Sequence, residues 1–322
     1  MKTPTERTAQ RLTDKGEIRA EALLPIKPRP SIAKWASIVL AVYVFFVGLE
    51  FFVFNENWNW PLVFEYLFGQ RILQGLLNTI TLTLITTLLG LFIGILVAWA
   101  KLSPLAVLRK LAAMYIWVIR ATPLLVLLLM IFFLAALVPS LGIGIPFGPS
   151  LFEVPTNEVI SRFTAAVLGL SLYLGGKSAE VFRSGIIAVD RGQFEACRAV
   201  GLSPLTTYTR VIGPQSIRVI TPPMANEIIT MFKNTSLVSV IGYTELLTTA
   251  KLIYATNFQT IPLLTVAVIW YLTLTSIAMY GQSLLEKRFG RGFDRRTDKE
   301  EQREPTEKVE TRTSTIADGD IR

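Results

Sequence analysis

The chain has 322 residues, of which 51% are hydrophobic and only 17% charged, with a mean hydropathy of +0.47, whereas water-soluble domains are about 45–50% apolar and about 25% charged. The absence of histidine and the single cysteine, Cys197, exclude disulfide staples, Cys/His metal centres and any histidine-based triad or proton relay. Lys and Arg number 32 against 24 Asp and Glu, and the position of those charges decides whether the surplus serves nucleic acid or a membrane.

Residues 1–34 are polar, charged and proline-bearing, too long and mixed for the charged start of a cleaved secretory signal, and read as a retained, disordered tail. A hydrocarbon core of about 30 Å needs about 20 apolar residues in a helix, because lipid offers no partner for bare backbone groups. Six stretches meet that requirement: 35–54, 76–100, 112–137, 163–188, 224–242 and 261–285. The connection 139–162 is rich in Gly and Pro and is expected to be an irregular loop with a short surface helix. Residues 290–322 are charged throughout without apolar periodicity and read as a second disordered tail.

Lys and Arg then fall into two sets. Eight lie before residue 35, four in 101–120, four in 190–220 and ten in the C-terminal tail, against three (Arg71, Arg162 and Lys251) in the alternate connections. A bias of 26 to 3 places both termini and two inner connections in the cytoplasm. The basic surplus is topology, and nucleic acid is not a partner.

Within the inner set, residues 190–222 are unusually long and patterned. A helix is expected over 193–200, ended by Gly201, with Ser203 as N-cap and Pro204 as first residue of a second helix. Such a turn makes a knuckle that exposes Phe194, Glu195, Arg198 and Val200, an apolar anchor amid charge suited to a groove on a partner protein.

The series Glu195-Ala196-Cys197, then Gly201, then nine residues, then Val211-Ile212-Gly213-Pro214 resembles the EAA loop of ABC importer permeases. Cys197 replaces the second alanine of that pattern, and Gly213 replaces the leucine before its proline. RATPLLVLL at 120–128, PPMANEII at 222–229 and KNTSLVSVIG at 233–242 resemble the subgroup importing polar amino acids, and the likeness covers about residues 75–289. The resemblance implies an all-α polytopic fold of the type I ABC importer permease architecture, with six transmembrane helices and both termini cytoplasmic. The permease domain would be 35–289, its core 71–289 and its coupling loop 190–222. It also implies a bacterial inner-membrane subunit that forms the pathway for polar amino acids and meets the ATPase through Gln193, Phe194, Glu195, Ala196, Arg198, Gly201 and Pro214. The implied partners are a dimer of cytoplasmic ATP-binding subunits, which carry the ATP and Mg, a second permease (identical or sister), a periplasmic solute-binding protein and the lipid bilayer. The chain itself is expected to bind no cofactor and to catalyse nothing. Gly176-Lys177-Ser178 is no phosphate-binding loop, since Ser171 stands where that motif needs glycine and no strand precedes it. Gly90 and Gly94 have the spacing of close helix packing.

Charges inside spans are costly and face partners or a wet cavity. Lys177, Glu180 and Arg183 recur on one side of the fourth span, and Glu227, Lys233 and Asn234 lie on the fifth. An amino acid offers a carboxylate and an ammonium group, so a cavity of mixed sign between these helices would suit it; the alternative is that the charges neutralise one another. A second functional reading, an ion-coupled secondary transporter of amino acids using Glu180 and Glu227, predicts inverted repeats and unwound helices, neither of which the sequence displays.

Overall fold

A computed structural model describes residues 32–144 and 150–290; the two expected tails lie almost wholly outside the described residues. Two units are distinguished, up to Trp58 and from Asn59 onward. The first contains α1 (Ile32–Phe54), which begins three residues earlier than expected and is apolar but for Lys34, Ser37 and Glu50. Around its end Phe52 packs on Trp58 with ring centroids 4.9 Å apart.

The second unit is organised on two helices. After α2 (Trp60–Leu67) comes α3 (Gln70–Leu102), and α3 lies against the later α6 (Arg162–Ile187). Small residues let these backbones approach closely, as is usual where lipid gives no hydrophobic drive to helix pairing. A Cβ on Gly90 would stand 2.7 Å from Leu174 Cβ, and one on Gly94 would collide with Ser178 Oγ. Ser178 Oγ donates to Gly90 O across the interface at 3.3 Å. The glycine spacing thus serves packing within one chain. Thr79, Thr83 and Thr86 on the same face are buried and return their hydroxyl protons to carbonyls four residues back at 2.8–3.0 Å.

The expected third span, 112–137, is broken. Helix α4 (Ala106–Ala121) ends at Thr122, which is extended (φ −95, ψ 128), and α5 (Leu124–Phe132) leaves at 105° to it. Pro123 is the cause, because it has no N–H for the ladder and its ring drives the preceding residue out of the helical region. Both pieces pack on α6, where Leu124, Leu128, Ala165, Leu170 and Leu174 share a core with Met231 and Val238.

The irregular loop expected at 139–162 is partly paired instead, within a mostly helical chain. Strands β1 (Ser140–Gly144) and β2 (Ser150–Pro155) form an antiparallel ribbon, with Leu141 opposite Val154 and Gly142 opposite Glu153. Gly and Pro deny this stretch a helix, and cross-strand pairing satisfies its backbone instead. The ribbon's base is fixed by Thr156, fully buried, whose N–H donates to Pro139 O at 3.0 Å. The expected short helix is present over Thr156–Val159.

Beyond α7 (Arg191–Ala199) the chain turns through Pro204–Thr206 and a π-helical stretch, Thr207–Ile212, into α8 (Gly213–Asn234). The fifth helix therefore starts at residue 213, well before the expected 224, and the second helix of the knuckle is not short: it runs without a break into the span. A 3-10 stretch, Thr235–Ile241, leads to Gly242 (φ +73) and then α9 (Leu246–Asn257), bent by 46°, before α10 (Thr260–Gly290). Among the described residues three single helices are long and apolar enough to cross a membrane, and five segments are if each bent pair counts as one. The remaining expected span is α6, 26 residues long, roughly 39 Å at 1.5 Å per residue, with Lys177, Glu180 and Arg183 toward its C-terminal end.

Candidate functional site

The knuckle is built by its caps. Asp190 accepts from the Gly192 N–H at 2.6 Å and opens α7, two residues before the expected start. At its other end the Leu202 N–H reaches Cys197 O and the Gly201 N–H reaches Arg198 O, each at 3.0 Å. This paired closure needs a left-handed residue at Gly201, and its φ is +73. Ser203 Oγ then accepts from the Thr206 N–H at 3.2 Å, with Pro204 at the first helical position. Cys197 is buried. Phe194, expected on the surface, is half-buried against Tyr208 (ring centroids 6.3 Å apart, 72° between planes), and so fastens the knuckle while its neighbours project. Gln215 Nε2 donates to Gln193 Oε1 at 3.3 Å. Glu195, Ala196, Arg198, Val200 and Pro214 are exposed, Val200 to 78%. The departure at Gly213 has a local reason: the Gly213 N–H closes the π-helical stretch on Tyr208 O, and a Cβ there would lie 2.5 Å from that oxygen.

A second constellation lies within the helices. Lys177 Nζ and Glu227 Oε1 are 4.0 Å apart across α6 and α8, both half-buried. Glu180 pairs with Arg183 one turn along α6, and Lys177 Nζ also stands 5.6 Å from the Tyr173 ring. Arg120, Lys177, Glu180 and Glu227 border a cavity of about 200 Å³ with Val181 and Ser184. The expected charges Lys177, Glu180 and Glu227 are thus brought together, already paired. Lys233 is exposed and Asn234 half-buried, on the last turn of α8, and neither borders this cavity.

Arg120 is the residue that sequence reasoning misplaced. Counted with the inner connection 101–120 although the expected span 112–137 also contains it, it lies 14 residues into α4, roughly 21 Å along the helix axis. It therefore joins the in-span charges, and the bias between connections becomes 25 to 3. The phrase RATPLLVLL held the clue, because a proline three residues after the arginine ends the helix that carries it.

Glu245 was also missed. It is fully buried, caps α9 by accepting from the Leu247 and Thr248 N–H groups at 2.9 and 2.7 Å, and receives the Tyr271 hydroxyl at 2.5 Å and that of Thr248 at 3.0 Å. It ties α9 to α10 just after the Gly242 turn. Glu245→Ala removes a cap and takes the acceptor from the half-buried Tyr271 hydroxyl, which should lower stability by about 2–4 kcal/mol. The expected readout is a clear drop in the thermal unfolding temperature in detergent, partly restored by Glu245→Gln.

Residues 90–291 match the family of binding-protein-dependent transport system inner membrane components. The arginine transport system permease protein ArgU of Corynebacterium glutamicum is 38% identical over 273 residues, covering 84% of each chain. The L-cystine transport system permease protein TcyB of Bacillus subtilis is 32% identical over 233 residues, 72% of this chain and 92% of that one. Among solved structures, an amino acid ABC transporter crystallised with histidines matches with a TM-score of 0.57 at 34% identity, over 68% of this chain and 94% of the other. The MetNI methionine ABC transporter shares the fold at 16% identity with a TM-score of 0.55, over 69% and 97%. The matched family segment contains the whole knuckle and every residue bordering the charged cavity.

Proposed function

Because the chain belongs to the family of binding-protein-dependent transport system inner membrane components, the permeases of ABC transporters, we propose that it forms the membrane pathway of an ABC importer for polar amino acids. In this reading both termini and the knuckle are cytoplasmic, a second permease completes the pathway, and a solute-binding protein delivers substrate from outside. ATP and Mg are held by separate ATP-binding subunits, and this chain performs no catalysis.

One observation carries the reading: α7 is rigidly capped at both ends and presents Glu195, Arg198 and Val200 outward, while Phe194 and Cys197 anchor it inward. A partner groove would take the exposed face. Its movement passes through Phe194 to Tyr208 and through Gln193 to Gln215, both on the chain that continues unbroken into α8. That helix carries Glu227, so a pull on the knuckle displaces one wall of the charged cavity. With both signs present, the cavity can hold a zwitterion by its carboxylate and its ammonium group in turn.

The test is retention of candidate ATP-binding subunits by the full chain purified from membranes. Glu195→Lys reverses a central exposed charge, and a hot-spot loss of about 2 kcal/mol corresponds to roughly thirtyfold weaker association. The expected result is loss of the ATPase at an unchanged amount of permease in the membrane, with uptake abolished. Retention together with normal uptake would refute docking through this loop.

A further inference from the structure

A cleft of about 620 Å³ opens between the C-terminal ends of α3 and α6 and the start of the helix that follows Gly201, a size typical of sites for drug-sized ligands at roughly 300–1,000 Å³. Its walls are Trp99, Leu102, Phe182, Ile186, Leu205 and Tyr208. Trp99 is 68% exposed and Leu205 75%, so the cleft is open and apolar rather than filled by the chain's own side chains. It lies at the loop end of both helices. Trp99 and Tyr208 stand there as aromatics do where hydrocarbon meets headgroups.

The rim is positively charged. Arg109 Nη1 donates to the carbonyls of Ser103 and Pro104, at 3.1 and 2.7 Å, and both residues line the cleft. The other guanidinium nitrogens have no partner among the described residues and remain able to meet an anion. Lys101 and Lys110 flank the same turn, and no acidic residue occurs anywhere between 66 and 152. Of the neighbouring acids Glu180 is held by Arg183 and Asp190 by the α7 cap, while Glu195 is exposed on α7.

We propose that this cleft is a phospholipid site: one acyl chain lies between Trp99, Phe182 and Tyr208, and an anionic headgroup meets Arg109. The site is placed so that its occupant touches the coupling machinery, since Tyr208 is the ring that holds Phe194 of α7. The proposal rests on the cytoplasmic placement of the knuckle given above. Its test needs neither partner subunits nor transport, so the two readings can fail separately.

The full chain is reconstituted in phosphatidylcholine vesicles containing a trace of photoactivatable phospholipid, its diazirine on the acyl chain and its headgroup either phosphatidylglycerol or phosphatidylcholine. Labelled residues are then mapped by mass spectrometry. Labelling is expected to concentrate on Trp99, Phe182 and Tyr208, with the glycerol headgroup favoured by about fivefold, the effect of roughly one basic residue on anionic lipid. Arg109→Gln should remove the headgroup preference, and Leu205→Trp, which fills the cleft from its exposed side, should remove the labelling. Ile186→Phe serves as a second filling variant should the first fold poorly. Labelling spread evenly onto lipid-facing residues such as Leu88 and Leu96, or equal labelling from the two headgroups, would overturn the proposal.

Discussion

Replacing Glu227 with glutamine is expected to cut amino-acid uptake by about tenfold. The change removes the carboxylate that faces Lys177 across the cavity, and each 1.4 kcal/mol is about tenfold. The pair is 4.0 Å apart with side chains 35% and 26% exposed, so solvent screening keeps the loss well below that of a charge stranded in lipid. Lys177→Gln should fall by a similar factor, since it strands Glu227. The exchange Lys177→Glu with Glu227→Lys separates structural pairing from substrate contact, because it restores the ion pair while reversing which helix offers which sign. Quantified by immunoblot, the amount of the exchanged protein in the membrane should return to that of the natural chain. Uptake of radiolabelled amino acid should stay low, because a zwitterion guided by fixed charges would meet the wrong ones. Full recovery of uptake would reduce the pair to a structural contact and remove it from the pathway.

Gly201→Val should uncouple the knuckle through backbone strain. The glycine holds φ +73, and a Cβ built there meets nothing within 4 Å, so crowding at Cβ does not contribute. A left-handed residue with a side chain costs about 1–2 kcal/mol, and a β-branched one lies at the upper end. Relieving that strain breaks the paired closure of α7 on Arg198 and Cys197 and re-aims Glu195 and Arg198. Association with the ATP-binding subunits should fall by about tenfold or more and uptake with it, while the thermal unfolding temperature of the membrane domain moves little. Gly201→Asn, which tolerates the left-handed region, should keep most of both. Equal association for valine and glycine would show that the turn does not set the docking angle.

Where the chain's local chemistry dictates backbone shape, the sequence was legible. Gly201, Ser203 and Pro204 each occupy the cap position that residue type favours, and they fall in the structure where spacing put them. The long apolar stretches 76–100 and 261–285 lie inside single helices, because nothing within them interrupts the ladder. Hydropathy alone reads no further, since it is blind to direction. It merged α4 and α5 into one span although Pro123 turns the chain between them, and the charge tally set Arg120 in an inner connection although it lies within the expected span 112–137 and borders the cavity. The ribbon of 140–144 and 150–155 was hidden for a related reason: turn-forming residues announce the end of a helix without saying whether the chain then pairs with itself. The half-burial of Phe194 and the capping role of Glu245 depend on partners 14 and 26 residues distant, Tyr208 and Tyr271, and no periodicity connects them. The charges of 177, 180 and 227 were recognisable as a group because lipid makes any charge conspicuous; that Lys177 pairs with Glu227 across two helices, and not along its own, is a fact of packing.

Uptake into sealed membrane vesicles separates the proposed function from an ion-coupled carrier in one measurement. The full chain is assembled with its second permease and ATP-binding subunits, a solute-binding protein is supplied on the outer side, and ATP is trapped within. Accumulation of labelled amino acid should require trapped ATP and the binding protein, and should persist when a protonophore and sodium removal abolish both ion gradients. Accumulation that proceeds without ATP and collapses with those gradients would contradict the ABC importer reading and leave Glu180 and Glu227 as ion sites instead.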